Sequence, residues 1–381
     1  MGPSSRRMKP RPFLPRSTVF LVFQSLLAPA LAMALAVLPF VAGADPVDDL
    51  IAAEVTQRHV PAVSIAILHQ GKLLRTAATG FANLEQETPA SPATVFQIQS
   101  VTKTFTSAAI LLLAEEGKLS LEDPVSKHLE STPDTWKEIT LRHLLSHTSG
   151  IKDFINAPTA SLRIEVTEEE VLRATAARTL NFTAGERYEY SNSNYHLLAM
   201  IVRKLTGKSY GEFLQERVFA PLGMASTRIV SHSDLIPHRA SGYFWTGSGF
   251  RNGEFIAESI LSYGGGGIVS TAGDLALWAQ ALLKPKLLKP ESIAEAWTPA
   301  RLKNGTASSY GLGWGIQTVA GHREIRHNGA HATGFTSCLA IYPEDSLAIA
   351  VLINGRGGNP DRLARQLAGL YIPGLTSLDG N

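Results

Sequence analysis

The chain has 381 residues, 44% hydrophobic and 18% charged, with 32 glycines and 21 prolines, which excludes a disordered, collagen-like or repeat protein and suffices for one large domain or two smaller ones. The formal net charge is +2, and five of the cations fall within the first 16 residues. A basic nucleic-acid surface on the rest of the chain is therefore excluded too.

In chain order, Arg6, Arg7, Lys9, Arg11 and Arg16 precede an apolar run from Val19 to Ala42, and no acidic residue occurs before Asp45. Ala42-Gly43-Ala44 then offers a small-x-small cleavage site. A basic flank, an apolar centre and such a site mark residues 1–44 as a secretory signal peptide, with cleavage after Ala44 and a secreted or periplasmic product. The run is also long enough to span a bilayer, so an uncleaved N-terminal anchor is the alternative and the one route to membrane contact. Arg6-Arg7 leaves twin-arginine and general export both open. Loss of the five cations takes the formal net charge to −3. Cys338 is the only cysteine, so the chain can form no internal disulfide; within TSCLAIY it reads as a small packing residue.

The folded part, 45–381, opens with a hairpin: VSIAIL (63–68) and KLLRTAATG (72–80) flank His69-Gln70-Gly71. Thr102 to Glu116 carries no Gly or Pro and is mostly apolar, which predicts a helix buried on most sides. From about 118 to 290, short helical patterns alternate with loops and no strong strand is apparent. Strands return at 311–319, 323–327, 335–342 and 347–354, separated by turn signals, before a last helix at about 360–370. Strands at both ends with helices between predict an α+β fold. One antiparallel sheet comes from about 45–100 and 295–381, and a mainly helical part, about 101–294, is inserted with a cleft where the two meet.

Candidate chemistry begins at QSVTKTF, where Ser100 and Lys103 stand three apart at a helix start. One turn puts both on one face, free N–H groups favour developing negative charge, and a partly buried ammonium can help deprotonate the hydroxyl, or release its own proton if its pKa is depressed. The same spacing recurs at Ser149 and Lys152, but Gly150 follows at once and suggests a loop. Tyr190-Ser191-Asn192, just before a helical pattern, supplies a phenol able to relay the proton and an amide to orient a substrate carbonyl or the lysine. His327-Asn328-Gly329 closes one strand and precedes another, so a substrate backbone can lie alongside. His69-x-Gly71, in the hairpin turn, and Lys303-x-Gly305, in a polar loop, share that loose pattern, but neither has a strand on the correct side. His143 and His147 have the i, i+4 spacing of a zinc helix but lack the glutamate of HExxH, so helix packing is expected and no metal or other cofactor is implied. Gly264 to Gly267 lacks the ending of a phosphate loop and reads as close backbone approach near the cleft.

In this order SVTK, YSN and HNG resemble the three active-site motifs of the serine β-lactamase and penicillin-binding protein superfamily. The tyrosine form resembles class C β-lactamases and the related D-alanyl-D-alanine carboxypeptidases and esterases. Segments such as ITLRHLLSHTSGI and GGGGIVSTAGDLALWAQ extend the likeness over about 47–370. The resemblance implies Ser100 as acylated nucleophile, Lys103 as its proton partner and Tyr190 as general base. It further implies Asn192, His327 and Gly329 as substrate-binding residues, and the backbone N–H groups of Ser100 and Ala330 as the oxyanion hole. Class C enzymes carry lysine where this chain has His327, so a substrate carboxylate meets a permanent charge there only if the imidazole is protonated. The implied activity is an exported serine hydrolase acting on D-amino-acid peptides, esters or β-lactams, with a small-molecule or peptidoglycan-type substrate. Carboxypeptidase or esterase action is favoured over efficient β-lactam hydrolysis. A non-catalytic penicillin- or peptidoglycan-binding protein of the same fold is the alternative.

Overall fold

A computed structural model describes residues 45–154, 162–261 and 263–375. The expected leader and its cleavage site lie outside the described residues. No described helix is long and apolar enough to cross a membrane.

The fold is α+β. Its sheet has seven strands: β1 (Ala62–His69), β2 (Lys72–Asn83), β3 (Thr88–Pro89), β4 (Gly315–Val319), β5 (His322–Ala330), β6 (Thr336–Tyr342) and β7 (Leu347–Ile353). Their order is β3-β2-β1-β7-β6-β5-β4, antiparallel throughout. The two ends of the chain meet at β1 and β7, where Val63 faces Ile353 and His69 faces Leu347. The β1–β2 turn has φ of 51° at Gln70 and 74° at Gly71. Positive φ at both central residues suits the right-handed twist of a tight hairpin, and only the glycine adopts it without strain.

Side chains alternate across the sheet. In β7, Ala348, Ala350 and Leu352 enter the core on one face, while Leu347, Ile349, Val351 and Ile353 enter the core on the other. Both faces are covered, so the central strands are apolar without a break, the pattern that made them legible. The second face is covered by helices α1 (Pro46–Arg58) and α5 (Pro360–Ala368), and Cys338 is fully buried there. The first is covered by α2 (Thr102–Glu115), α3 (Asn192–Thr206) and α4 (Ala272–Leu283).

Every residue of α2 from Thr102 to Leu113 is buried. Its hydroxyls satisfy buried polar groups around it: Ser107 Oγ donates to Leu312 O at 2.6 Å, and Thr104 Oγ1 accepts from Trp278 Nε1 at 3.1 Å. The central helix is thus tied to the chain that leads into β4.

Two expectations need correction. The inserted part does contain strands: Ile268–Ser270 and Arg228–Ile229 form one small sheet with Phe96–Gln97, which lies just ahead of it, and Tyr243–Trp245 with Phe250–Asn252 form a hairpin. At two or three residues each they are too short to show alternation. Residues 311–314, expected to start a strand, are a bend instead. Gly313 has φ of 85° and packs on α2, where a Cβ would come within 2.7 Å of Ser107 Cβ.

Candidate active site

Ser100 lies in a single 3₁₀ turn, Gln99–Val101, that runs straight into α2. Gln99 has φ of 50°, a left-handed conformation that costs a non-glycine residue about 1–2 kcal/mol. Its side chain holds the turn in place. Nε2 donates to Gln97 Oε1 and Thr333 Oγ1, each at 2.9 Å, and Thr333 Oγ1 donates to Gln97 Oε1 at 2.8 Å. β5 presses on the same turn through Gly329, where a Cβ would stand 2.6 Å from Ile98 O. That contact is why glycine is required two residues after His327. His327 lies inside β5 instead of closing a strand, and β5 ends at Ala330, which is exposed beside the turn.

Lys103 is fully buried. Nζ donates to Ser100 Oγ at 3.1 Å, Asn192 Oδ1 at 2.9 Å and Gly265 O at 2.7 Å, which uses all three protons of an ammonium. Burial disfavours the charged form and brings the Lys103 pKa down to about 7, with the Asp153 carboxylate acting against the shift. The carbonyl of Gly265 reaches the lysine because the glycine run packs tightly on α3: a Cβ on Gly264 would lie 2.6 Å from Tyr195 O.

Asn192 was expected to bind substrate or the lysine, and here its amide serves the lysine. Oδ1 also accepts from the Tyr263 hydroxyl at 3.2 Å, and Nδ2 donates to Asp153 Oδ2 at 2.8 Å. Tyr190 is partly exposed, lies close enough to Ser100 for that side chain to influence its pKa, and carries the Lys103 ammonium 4.9 Å from its ring centre. Desolvation pushes the phenol above its ordinary value, with the Ser100 side chain acting against this. At neutral pH the phenol therefore keeps its proton.

His327 Nε2 accepts from the Tyr310 hydroxyl at 2.8 Å, and Nδ1–H donates to Asn328 O at 2.7 Å. Burial, then repulsion from Lys103, lowers its pKa to about 3. Desolvation and an adjacent cation keep the imidazole neutral, so the protonated form on which a carboxylate contact there depends is disfavoured. Between pH 5 and 8.5 no limb of the rate profile on an ester should therefore belong to His327. Comparing the pH–kcat/KM profiles of wild type and His327→Gln checks this; a limb near 6.5 that the glutamine removes would contradict it.

The second SxxK pair is not a site. Ser149 Oγ donates to Asn194 Oδ1 at 2.7 Å in the interior, while Lys152 Nζ donates to Thr179 Oγ1 at 3.0 Å. His143 and His147 do not share a helix either, because the helix Leu141–Leu145 ends first and His147 has φ of 57°. His143 Nδ1 accepts from Thr140 N in a capping box. Sequence reasoning passed over Asp153, Tyr263, Tyr310 and His147 as site residues. Only the aromatic ahead of GLGWG and the histidine of SHTSG offered any signal.

A cavity of about 210 Å³ beside Ser100's neighbours is lined by Tyr188, Tyr190, Tyr310, Ile316, His327 and Asn328. A larger one of about 820 Å³, walled by Leu129, Arg173 and Met200, includes none of the residues above and is set aside.

With this geometry, the profile of the family described as Beta-lactamase matches residues 47–371. The chain belongs to the beta-lactamase family. It is similar to Penicillin-binding protein 4* of Bacillus subtilis (strain 168), 30% identical over 299 residues, covering 74% of this chain and 66% of that protein. The chain thus spans just under two thirds of the length of that relative. Among solved structures it is similar to the octameric penicillin-binding protein homologue from Pyrococcus abyssi, with a TM-score of 0.70 and 28% identity over 85% of this chain and 76% of that one. It is also similar to the D-amino acid amidase from Ochrobactrum anthropi SV3, solved with L-phenylalanine amide, with a TM-score of 0.72 and 26% identity over 81% and 90% of the two chains. Its structural neighbours therefore include a hydrolase of this fold.

Proposed function

We propose that this member of the family is a serine hydrolase that works through an acyl-enzyme on Ser100. One observation carries the reading: a buried lysine with a pKa near neutrality donates to the only partly exposed serine hydroxyl it touches. A base titrating near the working pH is best matched to general-base catalysis. Neutral Lys103 takes the Ser100 proton, with Tyr190 as relay, while Oγ attacks the substrate carbonyl. The tetrahedral oxyanion meets the N–H groups of Ser100 and Ala330, each worth about 3–4 kcal/mol in comparable acyl transfer. Collapse of the adduct expels the leaving group, which takes up the proton, and water then repeats the sequence to free Ser100.

The substrate class we favour is D-amino-acid peptides, amides and esters over β-lactams. The support is twofold: the D-amino acid amidase among the similar structures, and the neutrality of His327, which leaves a β-lactam carboxylate without a cation at that position. We further propose, from the leader alone, that the enzyme acts outside the cytoplasm.

A hydrolysis panel of a chromogenic cephalosporin, a D-Ala-D-Ala peptide, a D-amino-acid amide and short p-nitrophenyl esters tests the reading. No turnover of any, together with no labelling by a fluorophosphonate, would favour a non-catalytic peptidoglycan-binding protein. Tyr190→Phe keeps the ring and removes the relay, so kcat should fall by roughly 10²–10⁴ with little change in KM. Near wild-type kcat in that variant would mean that Lys103 acts alone.

A further inference from the structure

We propose that His147 is the positioning residue that fixes Tyr190 against Ser100, an inference that rests on the serine-hydrolase reading above. The tyrosine sits in a loop, and a loop side chain needs an external hold if its hydroxyl is to stay within reach of the nucleophile. His147 supplies that hold on both sides of Tyr190. Its carbonyl accepts from Glu189 N at 2.9 Å, and its Nδ1 accepts from Ser191 N at 3.1 Å. The ring meanwhile lies on the tyrosine, with centroids 4.2 Å apart and planes 33° apart.

The backbone conformation of His147 makes this double grip possible. Its left-handed φ of 57° turns carbonyl and side chain toward the same loop. The neighbouring residues continue the contact through backbone alone: Thr148 O accepts from Gly185 N at 2.7 Å and Gly150 O from Asn181 N at 2.8 Å. Gly150, with φ of 77°, has no room for a Cβ, which would stand 2.1 Å from Phe182 O. His147 alone in this segment reaches the loop with a side chain acceptor as well.

An ordinary packing role explains less. The ring is fully buried, and its Nε2 has no hydrogen-bond partner among the described residues. A phenyl ring would fill this aromatic surrounding without an unpaired polar atom. What the imidazole adds is the Nδ1 acceptor, which also lies 3.3 Å from Asn194 Nδ2. With Nδ1 accepting, the proton is on Nε2 and the ring is neutral. Burial and the charge of Lys103 both favour that form.

The test compares His147→Phe, which keeps the ring and loses the acceptor, with His147→Asn, which tolerates left-handed φ and restores an oxygen near the Nδ1 position. Both are assayed on one p-nitrophenyl ester well below the melting temperature of each. The phenylalanine variant should lose about 10²-fold in kcat with KM within about threefold, the scale expected when a reacting group is misplaced by an ångström. The asparagine variant should recover at least tenfold of that loss, and both should still take a fluorophosphonate on Ser100. Wild-type kcat in the phenylalanine variant, equal losses in both variants, or a rise in KM at constant kcat would each overturn the assignment. A wild-type protein that takes no phosphonate would overturn the hydrolase reading itself, and His147's role with it.

Discussion

Ser100→Ala should abolish turnover, lowering kcat by at least 10⁴ on any substrate the wild type accepts, while the protein stays folded. The loss is large because no other group can form the acyl bond; nucleophile and base act as a unit, and removing one removes most of the rate. The fold should survive for local reasons. Alanine suits a helical start, and the substitution removes one of the three acceptors of Lys103 while Asn192 Oδ1 and Gly265 O remain. Intact-mass spectrometry should find one phosphonate per wild-type chain, peptide mapping should put it on Ser100, and the alanine variant should take none. An adduct on Ser149 instead would sink the assignment. Its hydroxyl is buried against Asn194, which makes that outcome physically costly.

How much of this was legible beforehand varied with the range of the interaction. The central strands of the sheet were readable because a strand covered on both faces is apolar without interruption, as in LAIAVLI. Ser100, Lys103 and Tyr190 were readable because one helical turn and one loop-to-helix junction put them in short motifs. The illegible parts are those in which distant segments close on one another. Asp153 has no motif and joins the site through Asn192, 39 residues away, and through its charge on Lys103. Tyr310 matters because it lies 2.8 Å from His327. The protonation of His327 was left open for the same reason, since the sequence gives the residue type while the pKa depends on what surrounds it. His143 and His147 show the reverse error: a helical spacing was read into a helix that stops at Leu145.

Lys103 should set the acid limb of catalysis, and replacing it should cost at least 10³-fold in kcat/KM. The sign follows from its surroundings. Burial lowers the folded-state pKa to about 7, so the neutral amine that can accept the Ser100 proton is the minor form below pH 7 and the major form above it. Rates should therefore rise with pH through about 7 and level off. The informative variants are Lys103→Ala and Lys103→Arg. Alanine removes charge and base together. Arginine keeps the positive charge but stays protonated throughout the accessible range. If the lysine acts as a base, arginine should be as inactive as alanine, and the limb near 7 should vanish from any residual rate. If it serves only as a fixed cation, arginine should keep activity within about tenfold of wild type, and the proposed role would fail. Stability gives an independent reading. Between about pH 7 and the ordinary lysine value near ~10.4, the unfolded chain carries a proton that the folded chain lacks, so wild-type stability should gain with pH across that window relative to Lys103→Ala. Melting curves of the two proteins across the alkaline range measure that difference. A wild type that gains nothing over the variant there would mean that the lysine is charged in the resting site, leaving Tyr190 to begin the reaction.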